Sequence, residues 1–156
     1  MTKRRRGIDA TVLAFDFGTR HIGVAVGNTL TRVAHPLSTV DAATDEARQA
    51  AIAALIREWQ PARLIVGLPL HADGRPHAMT KRARAFAASL EKSFATPVTL
   101  VDERHTSEVA RTTLAAAGRG GRAGRAGRDE VAAQIILQAW LDEPDDDESD
   151  DDERIA

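Results

Sequence analysis

The sequence predicts an α/β protein on a mixed five-stranded sheet, three antiparallel strands and then parallel ones, flanked by helices. Three observations lead there. Residues 12–28, VLAFDFGTRHIGVAVGN, hold two apolar runs separated by a polar, glycine-containing turn, the pattern of a hairpin. Residues 33–40, VAHPLSTV, add a third strand, and Pro36 places it at an edge because proline cannot donate to a central ladder. From residue 45 onward helical and strand patterns alternate, as they do where helices cover a sheet.

Each later element has its own signal. Over residues 45–60, Ile52, Leu55, Ile56 and Trp59 fall at i, i+3, i+4 and i+7, Asp45 and Glu46 sit in the first turn, and Pro61 ends the helix. RLIVGL (63–68) is apolar without alternation, as expected of a strand covered on both faces. Residues 70–76 form a polar loop. A second helix over 78–94 carries Met79, Ala83, Phe86, Leu90 and Phe94 on one stripe; Lys81, Arg82, Arg84 and Lys92 make its exposed side basic. PVTLV (97–101) is the fifth strand, closing on Asp102, Glu103 and Arg104. Thr106 or Ser107 caps a further helix to about residue 117, and Gly118 breaks it. The segment GRGGRAGRAGR (118–128), with five glycines and four arginines, reads as a basic loop. Residues 129–141 resume as an amphipathic helix with Val131, Ile135 and Trp140 as core positions, and Pro144 stops it.

With 156 residues the chain has room for one domain with its own core. The expected domain spans residues 9–142, between a basic disordered arm (1–8) and an acidic disordered tail (143–156). There is no cysteine, so disulfides and thiolate zinc sites are excluded. The start of the chain lacks the apolar stretch of a signal peptide, no run reaches membrane-spanning length, and a cytoplasmic location is expected. The formal charge of −2 hides a division. Ten of the 23 acidic residues lie in 142–153, so residues 1–141 carry 20 Lys and Arg against 13 Asp and Glu, a net of +7. A basic body fits a polyanionic partner, because phosphate neutralisation supplies most non-specific nucleic-acid affinity.

Asp16 ends the first apolar run, where a buried carboxylate is costly unless hydrogen-bonded or facing a cation. Glu103 and Asp129 also stand where elements end or begin. Strand ends converge in a mixed sheet, and a helix start can bring a third acid over them. Such a cluster is unfavourable alone, since like charges a few ångströms apart resist joint ionisation. With Mg2+ or Mn2+ it becomes a site, because hard divalent cations prefer all-oxygen ligands. Two such ions can activate a water and stabilise the leaving oxygen of a phosphodiester. Structural readings stand beside this one: a salt bridge from Asp16 to Arg20 or Arg104, and Asp129 as a first-turn helix acid. Asp102 is expected on the opposite sheet face, capping the turn or pairing with Arg104. Gly18, Gly23 and Gly67 mark tight turns or close approach, Gly67 towards substrate. His21, His71, His77 and His105 lack a metal-ligand spacing. Trp59 and Trp140 read as core anchors.

The stretches DFGTRHIGVAVG, IVGLPLHADG, TLVDERHTSEVA and DEVAAQIILQAWLDE occur in that order across residues 11–142. Together they resemble the Holliday junction resolvase-like family of pre-16S ribosomal RNA nucleases in the ribonuclease H-like superfamily. The resemblance implies a ribonuclease H-like fold, phosphodiester hydrolysis with Mg2+ or Mn2+, and Asp16, Glu103 and Asp129 as catalytic, metal-holding carboxylates. The substrate it implies is structured RNA, precursor 16S ribosomal RNA, with branched DNA as the neighbouring choice and a monomer or homodimer as the acting form. Arg20, Arg104, Arg119, Arg122, Arg125 and Arg128 are the expected backbone contacts. The chain departs from the family pattern at His21, at Gly27 and Asn28, in the Arg/Gly-only segment before Asp129, and in its acidic tail. Two rivals remain open at this level: an actin-like phosphotransferase, whose phosphate loop the hairpin also resembles, and a noncatalytic RNA-binding ribosome-assembly factor. The tail, folded back, would compete with nucleic acid for the basic surface.

Overall fold

The computed structural model describes residues 10–41, 43–106 and 124–143. The basic arm, the helix expected to run to residue 117, Arg119, Arg122 and the acidic tail from residue 144 lie outside the described residues.

Val12, Leu13, Ala14 and Phe15 are all buried because β1 (Thr11–Asp16) is the middle strand of five. It pairs antiparallel with β2 (Ile22–Asn28), from Thr11 opposite Asn28 to Asp16 opposite Gly23, and parallel with β4 (Arg63–Leu68). β3 (Val33–Val40) lies antiparallel outside β2, and β5 (Val98–Asp102) lies parallel outside β4. The order is β3-β2-β1-β4-β5, so the strand holding Pro36 is an edge strand, as its missing N–H requires. The β2–β3 register skips Leu37 at a bulge beside that proline.

Helix α1 (Asp45–Trp59) starts where Thr44 Oγ1 accepts from the Ala47 N–H at 3.0 Å. It stops at Gln60, which adopts a left-handed φ of 46° ahead of Pro61. Helix α2 (Ala78–Phe94) has an unusual reciprocal cap. His77 Nδ1 accepts from the Met79 N–H at 3.0 Å, and Thr80 Oγ1 accepts from the His77 N–H at 2.6 Å. Both helices pack on one face of the sheet, against Leu13, Phe15, Ile22, Val24, Leu64 and Val66. Helix α3 (Gly124–Asp142) covers the other face, where Val12, Ala14, Ala25 and Ile65 meet Ala133, Ile136, Leu137 and Trp140. Each large side chain so buried stabilises the fold by roughly 1.5–3 kcal/mol.

Two expectations need correction. α3 begins at Gly124, so residues 124–128 are helix and not loop. Arg and Ala are strong helix formers, and the apolar stripe downstream anchors the helix against the cost of Gly124 and Gly127, about 1 kcal/mol each. Asp129 is therefore the sixth helical residue and not a first-turn acid, which removes the macrodipole explanation for it. Glu103 opens a 3-10 turn (Glu103–Thr106) directly after β5.

Candidate active site

Asp16 is the last residue of β1 and alternates with Phe15, so it shares with Val12 and Ala14 the face covered by α3. Directly across the ladder stands Gly23. A Cβ at Gly23 would collide with the backbone carbonyl of Asp129, so the lack of a side chain lets α3 rest its main chain on β2 opposite Asp16. One strand over, Gly67 follows Val66, the parallel partner of Phe15. A Cβ there would run into the Glu103 carboxylate and Ile136 Cδ1. The 3-10 turn thus folds Glu103 back across β4, towards the end of β1. The close approach expected at Gly67 is real, but what approaches is Glu103.

The electrostatics follow from this placement. The carboxyl of Asp16 is pushed up to about 6, first by burial and then by the negative charge of Asp129. Glu103 is pushed up to about 7 by burial, then by Asp16 and Asp102. Asp16 is therefore coupled to both other predicted acids. Among the described residues no three acidic or histidine side chains converge within reach of one ion, so the arrangement is two pairs sharing Asp16. Half-buried, mutually repelling, all-oxygen groups at a strand end are a donor set that suits a hard divalent cation. Asp16 with Glu103 and Asp16 with Asp129 are the acid pairs whose charges act on each other.

Among the described residues neither arginine weighed as a salt-bridge partner neutralises Asp16. Arg104 pairs with Asp102: its Nη2 donates to Oδ2 at 2.6 Å and its Nε reaches both carboxylate oxygens at 3.0 and 3.1 Å. The Arg104 N–H also donates to Asp102 Oδ1 at 2.9 Å, so Asp102 caps the turn and fixes the guanidinium together. This pairing raises the Arg104 pKa and keeps its positive charge. Arg104 also lies under the 70–76 loop, its Nη1 only 3.1 Å from where a Gly74 Cβ would stand, and Gly74 holds a φ of 92°. Sequence reasoning missed this loop-to-arginine contact. Its one local signal was the Asp-Gly turn at 73–74.

Arg20 is exposed in the β1–β2 turn, and Arg128 is exposed on α3 beside Asp129. The backbone of Arg125 lies in the first turn of α3; its side chain, like Arg119 and Arg122, lies outside the described residues. The histidines have other work: His77 caps α2, His71 packs 5.0 Å from its ring, and His21 faces Asp41 at 3.6 Å.

A five-stranded mixed sheet of this order, with helices on both faces, has the RuvC-type, ribonuclease H-like fold. The structure of T. thermophilus RuvC with a Holliday junction substrate matches it with a TM-score of 0.57 over 85% of this chain and 93% of that one, at 16% identity. The chain belongs to the RuvX family, described as Holliday junction resolvase, whose model matches residues 10–143. A relative from Dechloromonas aromatica is 51% identical over 134 residues, 86% of this chain and 92% of the relative. One from Chromobacterium violaceum is 51% identical over 133 residues, 85% and 97% respectively. Both carry the name "Putative pre-16S rRNA nuclease".

Proposed function

We propose that the protein is a metal-dependent endonuclease that hydrolyses phosphodiester bonds in structured RNA, with precursor 16S ribosomal RNA as substrate, and that it acts in the cytoplasm. The observation that carries this reading is Asp16, half-buried at the end of the central strand and electrostatically coupled to Glu103 on one side and Asp129 on the other. The names of the relatives support the substrate.

Asp16, Glu103 and Asp129 would hold Mg2+ or Mn2+, which when bound supplies an activated water and neutralises charge on the leaving oxygen. The protein's own part is positional. Gly23 and Gly67 set the main chain of Asp129 and the carboxylate of Glu103 against the sheet beside Asp16. Arg104, held by Asp102, together with Arg20 and Arg128 presents positive charge to the phosphate backbone. Cleavage of branched DNA is the second reading, favoured by the family description, and would use the same residues.

The test is a cleavage assay on precursor 16S ribosomal RNA and on a four-way DNA junction, with Mg2+, Mn2+ or chelator. Metal-dependent cutting of the RNA is expected. Asp16→Asn should lower it at least about 1,000-fold, the scale of losing a group essential to the site, while circular dichroism stays native. Undiminished cutting by a clean preparation of Asp16→Asn would falsify the assignment.

A further inference from the structure

Phe17 follows Asp16 and takes the other side of the sheet. Its ring packs against Phe86 of α2, with centroids 4.8 Å apart and planes 32° from parallel. Around it, between α1 and α2, opens a cleft of about 520 Å³, within the range of small-ligand sites. Phe17 and Phe86 form its apolar wall, and Thr19, Gln49, Arg48 and Arg82 supply its polar groups.

Arg48 is a fixed part of this wall. It donates to the Thr19 carbonyl at 3.1 Å, faces Asp45 at 3.5 Å, and holds its guanidinium 5.8 Å from the centre of the Phe17 ring. Asp45, also at the rim, offsets that charge. Arg82 is exposed and has no ion-pair partner among the described residues, so it sets the charge of the cleft. Lys81 and Arg84 flank it as further exposed cations of the basic helix, which the carboxylate site leaves unused.

We propose that this cleft receives the nucleotide next to the cleaved phosphodiester, its base against the Phe17–Phe86 wall and its phosphate on Arg82. An aromatic wall, a guanidinium and hydroxyl and amide side chains together are the chemistry that recognises a nucleotide. Asp16 and Phe17 are consecutive, so a strand engaged at the carboxylates has only to pass over the end of β1 to reach the cleft. The position of the nucleotide relative to the cut rests on the nuclease reading; nucleotide binding in the cleft does not.

Arg82→Glu and Ala85→Trp are suitable variants, because both positions are exposed on α2 and Ala85 lines the cleft. Arg57→Glu, an exposed charge reversal on α1 outside the cleft, is the control. The affinity of fluorescent RNA oligonucleotides is measured for each in an Asp16→Asn background, and cleavage in the wild-type background. Arg82→Glu and Ala85→Trp are expected to weaken oligonucleotide binding about tenfold more than the control, and to raise KM similarly with little change in kcat. On a substrate that keeps the scissile phosphodiester but is abasic at the neighbouring nucleotide, the KM penalty of Ala85→Trp should vanish. A loss no greater than the control's, or an Ala85→Trp penalty that persists on the abasic substrate, overturns the proposal. If the wild-type protein cuts nothing, the nuclease reading falls, and the affinity ratios alone still decide whether the cleft binds a nucleotide.

Discussion

The two faces of the sheet are filled by different kinds of side chain, and only one of them brings a helix down onto the strands. Under α1 and α2 the filling is large: Leu13, Phe15, Ile22 and Leu64 beneath Phe86 and Leu90, with Phe15 and Phe86 edge to face at 5.9 Å. Under α3 it is mixed: Ala14, Ala25, Ala34 and Ala133 stand among Ile65, Ile136, Leu137, Leu141 and Trp140, with Gly23, Gly27 and Gly67 where the helix side comes closest. α3 is also held by directional bonds to the β3 edge. Gln138 Oε1 accepts from the Ala34 N–H at 2.9 Å, Gln134 Nε2 donates to the Ala34 carbonyl at 3.0 Å, and Arg32 Nη2 donates to the Leu141 carbonyl at 2.8 Å. Bulk gives the first face its stability. Close approach gives the second face its acids, because Asp129 and Glu103 reach Asp16 only across missing side chains.

The sharpest way to break this contrast is to add bulk to one face and remove it from the other. Gly23→Val drives two methyl groups into the Asp129 backbone, which cannot swing aside as a side chain could. It should cost about 3 kcal/mol, the upper range for overpacking, and eliminate cleavage even in the folded fraction. Leu13→Ala removes a fully buried side chain from the opposite face. It should cost a similar 2–5 kcal/mol, roughly, as a cavity, yet leave the cleavage rate per folded molecule near wild type. Urea denaturation together with single-turnover cleavage separates the two; equal activity losses would sink the division of labour between the faces.

Acidity distinguishes the faces next. Asp16 and Glu103 have folded pKa values of about 6 and about 7, both raised. The fold therefore binds protons that the unfolded chain has already released. The stability these two groups contribute is fully present below about pH 4, their unfolded range, and is lost as pH rises through 6 and 7. In chelator, stability should fall by a few kcal/mol across that window. Asp16→Asn and Glu103→Gln should each flatten the slope. Leu13→Ala should shift the whole curve down without changing its shape. A parallel slope in both acid variants would show that the carboxylates are not the source.

Gly67→Ala sharpens the comparison at one atom. The new methyl meets the Glu103 carboxylate and the tip of Ile136, both ends of flexible side chains, so stability should drop by only about 1 kcal/mol. Cleavage should fall about 10- to 100-fold, because a small displacement of a positioned group costs that much. Unchanged cleavage with a displaced Glu103 would remove that residue from the site.

Periodicity made much of this legible in advance. The bounds of β3, β4 and α2 agree with the sequence pattern to the residue, because each is closed by Pro, Gly or a polar turn. Asp16 stood out because an acid ending an apolar strand has no local purpose. What stayed hidden was spacing between elements. Nothing in GRAGR tells helix from loop, since glycine lowers helix propensity whether or not a packed face downstream overrides it. Gly23 and Gly67 announced close approach without saying of what, because the neighbours that need the room, Asp129 and Glu103, lie far along the chain. His77 as a helix cap was equally hidden, since capping preferences favour Ser, Thr, Asp and Asn.

The smallest expected effect tests the α1/α2 face for strain. Trp59 packs against that cluster, yet its indole nitrogen is the one buried side-chain donor or acceptor atom without a hydrogen-bond partner among the described residues. Trp59→Phe gives up part of the ring's buried area but also removes that unsatisfied donor, whose desolvation costs about 1–3 kcal/mol. The two contributions oppose each other, so the net change should stay within about 1 kcal/mol of zero. Trp140→Phe, on the α3 face, has no such offset and should be destabilising by more, with cleavage falling too because Trp140 packs the helix that carries Asp129. Thermal denaturation of both variants decides it: equal losses would mean that the buried indole of Trp59 is satisfied in solution, and that the α1/α2 face carries no polar defect to set against the α3 face.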